Sequence, residues 1–217
     1  MPLAPAVLAG VHIRLEPLEH RHAEGLATAA SIDRSLYRWS LVPKGRAEFE
    51  RYIDSALSMH AAGKVLAFAT VRIADDAVLG STRFLDVESL PWPAGHPRHS
   101  IPTPDACEVG GTWLSAPAIR TSVNTEAKLL MLTHAFETWK VLRVCLHTDV
   151  RNDRSSAAIE RIGARFEGVL RAYRMASDFT PRDSKRFSIL AAEWPQVKQR
   201  LHRLLSHHAP AISEPAN

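Results

Sequence analysis

Two polar stretches of the sequence each lie where a predicted strand gives way to a predicted helix. The first covers residues 120–125, RTSVNT. The first backbone N–H groups of a helix have no partner within it, and together with the positive end of the helix dipole they favour a bound phosphate. Arg120 adds a guanidinium that can donate two hydrogen bonds to such a group. The simpler interpretation is that Ser122, Asn124 and Thr125 only cap the helix. The spacing alone does not distinguish phosphate binding from capping.

The second stretch, residues 152–156, has the sequence NDRSS. If Asn152 is the N-cap, Ser155 and Ser156 follow three and four residues later, so the three side chains lie over the same end of the helix. They either cap that helix or line a cleft.

Carboxylate and imidazole groups occur on the strands before these stretches. Glu108 is the only carboxylate of the predicted strand 106–114. His147 and Asp149 share one strand face and could bind substrate, although a solvated strand edge explains them as well. Paired histidines elsewhere have no Cys or carboxylate at ligand spacing, so no metal site is expected.

Composition limits what these residues can serve. The chain has 217 residues, of which 46% are hydrophobic and 23% charged, as in an ordinary globular domain. The net charge of +4 is spread along the chain, which argues against a nucleic-acid partner. Cys107 and Cys145 lie in apolar runs and are expected to be reduced thiols. No run approaches the ~20 apolar residues of a membrane span, and the first ten residues lack the pattern of a secretion signal, so a cytoplasmic protein is predicted.

Hydrophobic periodicity supplies the elements that must position the polar stretches. It predicts a strand, two helices, a hairpin, a proline-rich loop, and then strands alternating with helices. The predicted strands are 11–15, 65–73, 78–87, 106–114, 142–148, 166–173 and 186–191. The predicted helices are 19–30, 47–62, 123–139, 152–162 and 194–205, and the proline-rich loop is 90–104.

Several motifs in this order resemble the GNAT superfamily of acyl-CoA-dependent N-acyltransferases, in its RimJ/RimL-like branch. They include HIRLEPL, EVGGTWLS, NTEAKLLMLTHAFE and NDRSSAAIERIGARFEGVLR, and they span nearly the whole chain. The resemblance implies an α+β fold of three layers (α/β three-layer), with a mixed, mostly antiparallel central sheet that is flanked by helices and splayed between two central strands. It also implies one domain over residues 1–217, with a core at about 10–194 and a C-terminal helix and polar tail at 195–217.

The resemblance further implies a site for acetyl-CoA as cosubstrate. The pantetheine arm would run along Trp113 and Leu114 and receive a hydrogen bond from Asn152. The pyrophosphate would lie on the loop that starts the long helix: Arg120, Thr121, Ser122, Val123, Asn124 and Thr125. Four basic residues are expected near the two helix starts, where a polyanionic cofactor would lie: Arg120, Lys128, Arg151 and Arg154.

The acetyl group would then pass directly to an amine, either a protein N-terminus or a small-molecule amine. Glu108 matches the glutamate often proposed as general base in this branch, and Ser155 matches the serine considered as general acid. The alternatives are a Glu108 held by an arginine at the sheet edge and a Ser155 that only caps. The expected enzyme is a monomer or homodimer with no nucleic-acid or membrane partner.

One departure from the family pattern supports a different function. The family's phosphate loop usually runs from Gln or Arg, through two residues, to Gly and then to Gly or Ala, whereas this chain has Ile119, Ser122 and Asn124 at those positions. Because glycine allows close approach and unusual dihedral angles, Ser122 could alter the loop. The alternative is therefore a catalytically silent relative that binds CoA or a peptide.

Overall fold

The computed structural model describes residues 3–99 and 101–207. The strands are β1 Leu8–Ala9, β2 Ile13–Pro17, β3 Leu66–Arg72, β4 Val78–Glu88, β5 Ala106–Leu114, β6 Arg143–Asp149, β7 Arg165–Met175 and β8 Pro181–Leu190. The helices are α1 Ala23–Ser31, α2 Gly45–Ala61, α3 Val123–Thr133, α4 Asp153–Arg161 and α5 Trp194–Ser206. The strands form one sheet in the order β1-β2-β3-β4-β5-β6-β8-β7.

The sheet is covered on both faces because its strands alternate between two apolar surfaces. On β3, Leu66 and Phe68 pack into a cluster with residues of α3, α4 and α5, whereas Ala67 and Ala69 pack into a second cluster with residues of α1 and α2. The predicted α+β class with helices on both sides of the sheet is therefore confirmed.

The central pair of strands is exceptional. Every other neighbouring pair is antiparallel, but β5 and β6 are parallel and pair only at three positions, from Ala106–Arg143 to Glu108–Cys145. Beyond Glu108 the two strands separate, which confirms the predicted splay and places it at Glu108.

Most predicted elements lie within a few residues of the observed ones, and three differ. Strand β8 begins at Pro181, five residues before the predicted start at Arg186. Residues 181–185 lack an apolar period, so the sequence pattern does not indicate a strand there, although they pair with β6 and β7. The predicted helix 123–139 becomes π-helical over His134–Thr138. Strand β1 was not predicted, since two residues show no alternation.

The other predictions fall on irregular or undescribed segments. The described part of the proline-rich segment 90–104 contains no helix or strand, as predicted. The end of the predicted polar tail, from residue 208, lies outside the described residues. Among the helices of the described chain, none combines the length and the apolar character of a membrane span.

Lys128 is a buried cation on α3. Only 6% of it is exposed, and its Nζ donates to Thr112 Oγ1 at 2.6 Å, with Thr82 Oγ1 at 3.5 Å. No ion pair to a described carboxylate compensates its charge. Burial therefore lowers the pKa of Lys128 from 10.5 to about 7.

The substitution Lys128→Met is expected to raise the free energy of unfolding at pH 7, by on the order of 2 kcal/mol, because it removes an unpaired buried charge. The folded-state pKa lies below the unfolded-state value, so wild-type stability rises as the pH increases from about 7 toward 10.5. The advantage of the variant should therefore shrink over that range.

Urea unfolding near pH 7 and near pH 9.5 measures both effects. Lys44→Met, at an exposed lysine, controls for the loss of a surface charge. A Lys128→Met protein that is less stable than wild type by the same amount at both pH values would contradict the prediction.

Candidate active site

The opening between β5 and β6 is the centre of the candidate site. After Glu108 and Cys145 the two strands no longer exchange hydrogen bonds, so backbone groups on their facing edges lose their strand partner. Tyr37 reaches one of these groups: its hydroxyl donates to the Leu114 carbonyl at 3.0 Å. A ligand with amide groups of its own fits such an edge, because buried backbone groups must be hydrogen-bonded.

The two residues predicted to line a pantetheine arm differ in orientation. The Trp113 carbonyl approaches β4 so closely that a Cβ on Gly80 would lie 2.1 Å from it. The Trp113 ring is buried and packs against Tyr37 and Phe49, with centroid separations of 5.6 Å in both cases. The Trp113 side chain therefore belongs to the apolar cluster of α1 and α2, and the Leu114 side chain is buried in the cluster on the other face of the sheet.

The loop before α3 takes its unusual backbone conformation at Arg120. Arg120 has φ of 63°, in the left-handed region, whereas Ser122 has φ of −65° and ψ of −19°, which any residue adopts. Thr121 Oγ1 donates to the Ala118 carbonyl at 2.8 Å and accepts from the Val123 N–H at 3.3 Å. The absence of glycine at position 122 thus imposes no strained dihedral angle.

The side chains of this loop differ in exposure and in hydrogen bonding. Arg120 is exposed and has no ion-pair partner in the described part of the chain. Thr125 is fully buried, and its Oγ1 accepts from Arg161 of α4 at 3.1 Å. The Oδ1 atom of Asn124 is buried and has no hydrogen-bond donor among the described residues. Arg120 and Arg161 are therefore the cations at the start of α3, and Arg161 had no local sequence signal.

The other basic residues expected there serve different purposes. Lys128 points into the core, as described above. Arg151 forms a 2.7 Å ion pair with Asp149, and Arg154 donates to the Leu36 carbonyl at 2.8 Å. The predicted basic cluster was wrong for Lys128, which is buried, whereas Arg151 and Arg154 are exposed at the start of α4, each with a partner within the protein.

The start of α4 agrees with the predicted capping. The Asn152 side chain accepts from the Ser155 N–H at 3.1 Å, and Ser156 Oγ donates to the Asn152 carbonyl at 3.3 Å. Ser155 is half-buried, and its hydroxyl makes no hydrogen bond to the rest of the described chain. The Ser155 hydroxyl is thus the free polar group at this helix start.

Glu108 lies at the paired end of the opening, with 5% of its side chain exposed. Its Oε2 accepts from Arg174 Nη2 at 2.7 Å and from His147 Nδ1 at 2.8 Å. Arg174 lies on the edge strand β7 and also donates to Asp86 Oδ2 at 2.7 Å. The Glu108 Oε1 atom faces Gly110, where a Cβ would lie 2.6 Å away. Glu108 is therefore held by Arg174 at the sheet edge. This contact matches the alternative interpretation in which an arginine holds Glu108.

His147 is part of the site rather than of a solvated strand edge. Only 3% of its side chain is exposed, and the Tyr173 ring lies over it at a centroid separation of 5.0 Å. The solvated-edge interpretation was wrong because β8 and β7 continue the sheet beyond β6. Arg174 was missed altogether, since it lies 66 positions from Glu108 and only the sheet brings the two together.

Trp39 and the proline-rich segment 90–104 lie at different ends of the opening. Trp39 lies near the opening, where the Arg151 guanidinium stacks over its ring at 4.3 Å. The proline-rich segment lies at the paired end, because Asp105, directly before β5, accepts from Trp92 and Arg98. Within the described chain, no group of three or more His, Cys, Asp or Glu residues could hold a metal ion.

Comparison with known proteins identifies the class of enzyme. The family described as "Acetyltransferase (GNAT) domain" matches residues 12–165. A GCN5-related N-acetyltransferase from Brucella melitensis is similar with a TM-score of 0.79 and 28% identity, covering 94% of this chain and 87% of that chain. A structure from T. thermophilus described as an acetyltransferase has a TM-score of 0.75 and 32% identity, covering 94% of this chain and 100% of that chain. Mycobacterium smegmatis RimJ, solved in complex with CoA-disulfide, shares the fold with a TM-score of 0.72 and 22% identity, covering 92% of each chain. No curated protein sequence matches the chain.

The chain belongs to the GNAT acetyltransferase family. The predictions of family, of fold and of acetyl-CoA-dependent acetyl transfer are confirmed, and the structural neighbours include RimJ, as the resemblance implied.

The left-handed conformation of Arg120 can be tested by stability. Arg120→Gly is expected to raise the free energy of unfolding by roughly 1 kcal/mol, because glycine adopts a positive φ without a steric penalty. Arg120→Ala keeps a Cβ at the same φ and should leave stability close to wild type. Urea unfolding of the two variants gives the comparison, and equal stability of the Gly and Ala proteins would show that the conformation is not strained.

Proposed function

We propose that this acetyltransferase transfers the acetyl group of acetyl-CoA directly to a primary amine, either a protein N-terminus or a small-molecule amine. The observation that carries the proposal is the buried carboxylate and imidazole at the point where β5 and β6 separate. A primary amine must lose a proton as it is acylated, and these are groups that can take or direct that proton.

The cosubstrate would lie along the unpaired edge of β5 with its phosphates at the start of α3. Support comes from the exposed, unpaired Arg120 and from the backbone N–H groups of residues 120–125. Leu114 and the side chain of Asn152 would contact the pantetheine arm, and Trp113 would shape its wall. Bound in this way, acetyl-CoA would supply the thioester carbonyl that the amine attacks.

The chemistry requires a neutral amine. A lysine-type amine with a pKa near 10.4 costs about 4–5 kcal/mol to deprotonate at pH 7, whereas an α-amine near 7.8 costs about 1 kcal/mol. The amine nitrogen then forms a bond to the thioester carbon, the carbon–sulfur bond breaks, and the CoA sulfur takes up a proton. We assign the general-base function to the hydrogen-bonded pair of the Glu108 carboxylate and the His147 imidazole. We assign the proton for sulfur to the Ser155 hydroxyl, which has no hydrogen-bond partner among the described residues.

Two features of organisation belong to the same proposal. The enzyme would be a single domain, and the support for this is that strands from both halves of the described chain share one sheet. It acts as a monomer or homodimer without nucleic acid. The alternative is a catalytically silent protein that binds CoA or a peptide, and it was based on the absence of glycine at position 122. That argument is weakened because the backbone at Ser122 has ordinary helical dihedral angles.

The phosphate role of Arg120 predicts a loss of affinity. Arg120→Ala should weaken CoA binding about tenfold, because it removes a charge-assisted hydrogen bond to phosphate. Isothermal titration at low salt measures the change, and the difference from wild type should narrow at high salt. Arg203→Ala, at an exposed arginine of α5, is the matched control. Unchanged affinity in Arg120→Ala would remove this residue from the cofactor site.

The role of Glu108 predicts a dependence on the amine. Glu108→Gln should lower kcat/KM at least tenfold for lysine-type amines and less for α-amines, because the former need more help with deprotonation. Gly110→Ala should mimic this loss, since its Cβ would displace the Glu108 carboxylate. Initial rates of thiol release with an amine panel measure both. A small and equal effect on all amines would contradict the base function, and a wild-type protein that neither binds CoA nor acetylates any amine would contradict the proposed function.

A further inference from the structure

Glu108 has no vacant position on Oε2. That oxygen already accepts from Arg174 Nη2 at 2.7 Å and from His147 Nδ1 at 2.8 Å. A proton arriving there would have to displace one of the two donors. The other oxygen, Oε1, has no hydrogen-bond partner among the described residues and lies beside Gly110, where an added Cβ would be 2.6 Å from it. Through Oε2 the carboxylate holds both the Arg174 guanidinium and the His147 imidazole.

His147 has the complementary arrangement. A carboxylate only accepts hydrogen bonds, so the 2.8 Å contact requires the proton of the neutral imidazole to be on Nδ1. The lone pair is then on Nε2. That atom is buried and has no hydrogen-bond partner among the described residues. A buried acceptor of this kind needs a donor, and the N–H of an amine, or the O–H of a water between the two, provides one.

We propose that His147 Nε2 is the atom that takes the proton of the acceptor amine, and that Glu108 is a positioning residue that fixes the imidazole's tautomer and stabilises the imidazolium. This deepens the proposed function and rests on it. In the step, the amine nitrogen bonds to the thioester carbon and its proton moves to Nε2, while the electrons of the carbon–sulfur bond leave with sulfur. An imidazole is suited to this task, because its ordinary pKa of about 6.5 is closer to neutral pH than the value of about 4.3 for a glutamate.

Charged and titratable groups from four other strands lie around the imidazole. Glu108 comes from β5 and Asp86 from β4. The remaining groups are cationic or phenolic and come from β7 and β8: Tyr173, Arg174, Arg182 and Arg186. Arg186 lies opposite His147 in the β6–β8 ladder. Glu108 is the anion in direct contact with the ring.

The test compares His147→Asn with Glu108→Gln across a pH range. The asparagine amide can replace Nδ1 as donor to Glu108 but carries no basic atom in place of Nε2. His147→Asn is therefore expected to lower kcat/KM for lysine-type amines at least 100-fold, with CoA affinity within twofold of wild type. His147→Ala should regain at least tenfold of its lost activity with free imidazole in solution. Glu108→Gln should retain more activity than His147→Asn and should keep the acidic limb of its pH–rate profile.

His20→Asn, at an exposed histidine that contacts Asp54 of α2, is the control and should match wild type. If Glu108→Gln abolishes activity and the acidic limb while His147→Asn keeps both, the proton goes to Glu108 and the assignment to His147 is wrong. If the wild-type protein acetylates no amine, the proposed function fails and the assignment fails with it. Wild-type turnover together with an unaffected His147→Asn protein overturns only the assignment.

Discussion

Strand β5 sits in the middle of the sheet yet loses one neighbour after only three residue pairs with β6. Buried backbone groups must be hydrogen-bonded, so this interruption has to be compensated. The two strands stay apart because each has a longer ladder on its other side: β4 holds β5, and β8 pairs with β6 over its whole length. The opening is therefore maintained by two stable halves of one sheet. Its unpaired edge suits a ligand that brings amide groups along its length, as the pantetheine arm of CoA does.

Electrostatics divides this opening into two ends. At the paired end the carboxylates are neutralised within the protein: Glu108 by Arg174 and Asp105 by Arg98. Such pairs, mostly out of water, add little net stability but fix the position of each group. At the helix starts, Arg120 is left without an acidic partner in the described structure. The positive charge that remains available thus lies where the phosphates of a cosubstrate would bind, while the proton-transfer groups are held rigidly at the other end.

The parts of the site that depend on local signals could be predicted from the sequence, and those that depend on distant contacts could not. The bounds of β5 follow from alternation, and Asn152 as the cap of α4 follows from a polar residue before an apolar period. In contrast, nothing near Lys128 shows that it faces the core rather than the phosphates. The contact between Arg161 and Thr125, and the one between Arg174 and Glu108, join elements separated by tens of residues. Glycine at position 122 seemed important because the family pattern has it, but the positive φ falls on Arg120.

The segment between α1 and α2 explains how the opening can keep a constant width. Tyr37 bonds to Leu114 at the end of β5, and on the other side Arg154 of α4 donates to the Leu36 carbonyl. Ser177, from the turn between β7 and β8, donates to the Arg38 carbonyl. The segment is thus tied to both sides of the opening, so it bridges the gap that the sheet leaves open. These contacts fix the position of the segment relative to both halves of the sheet.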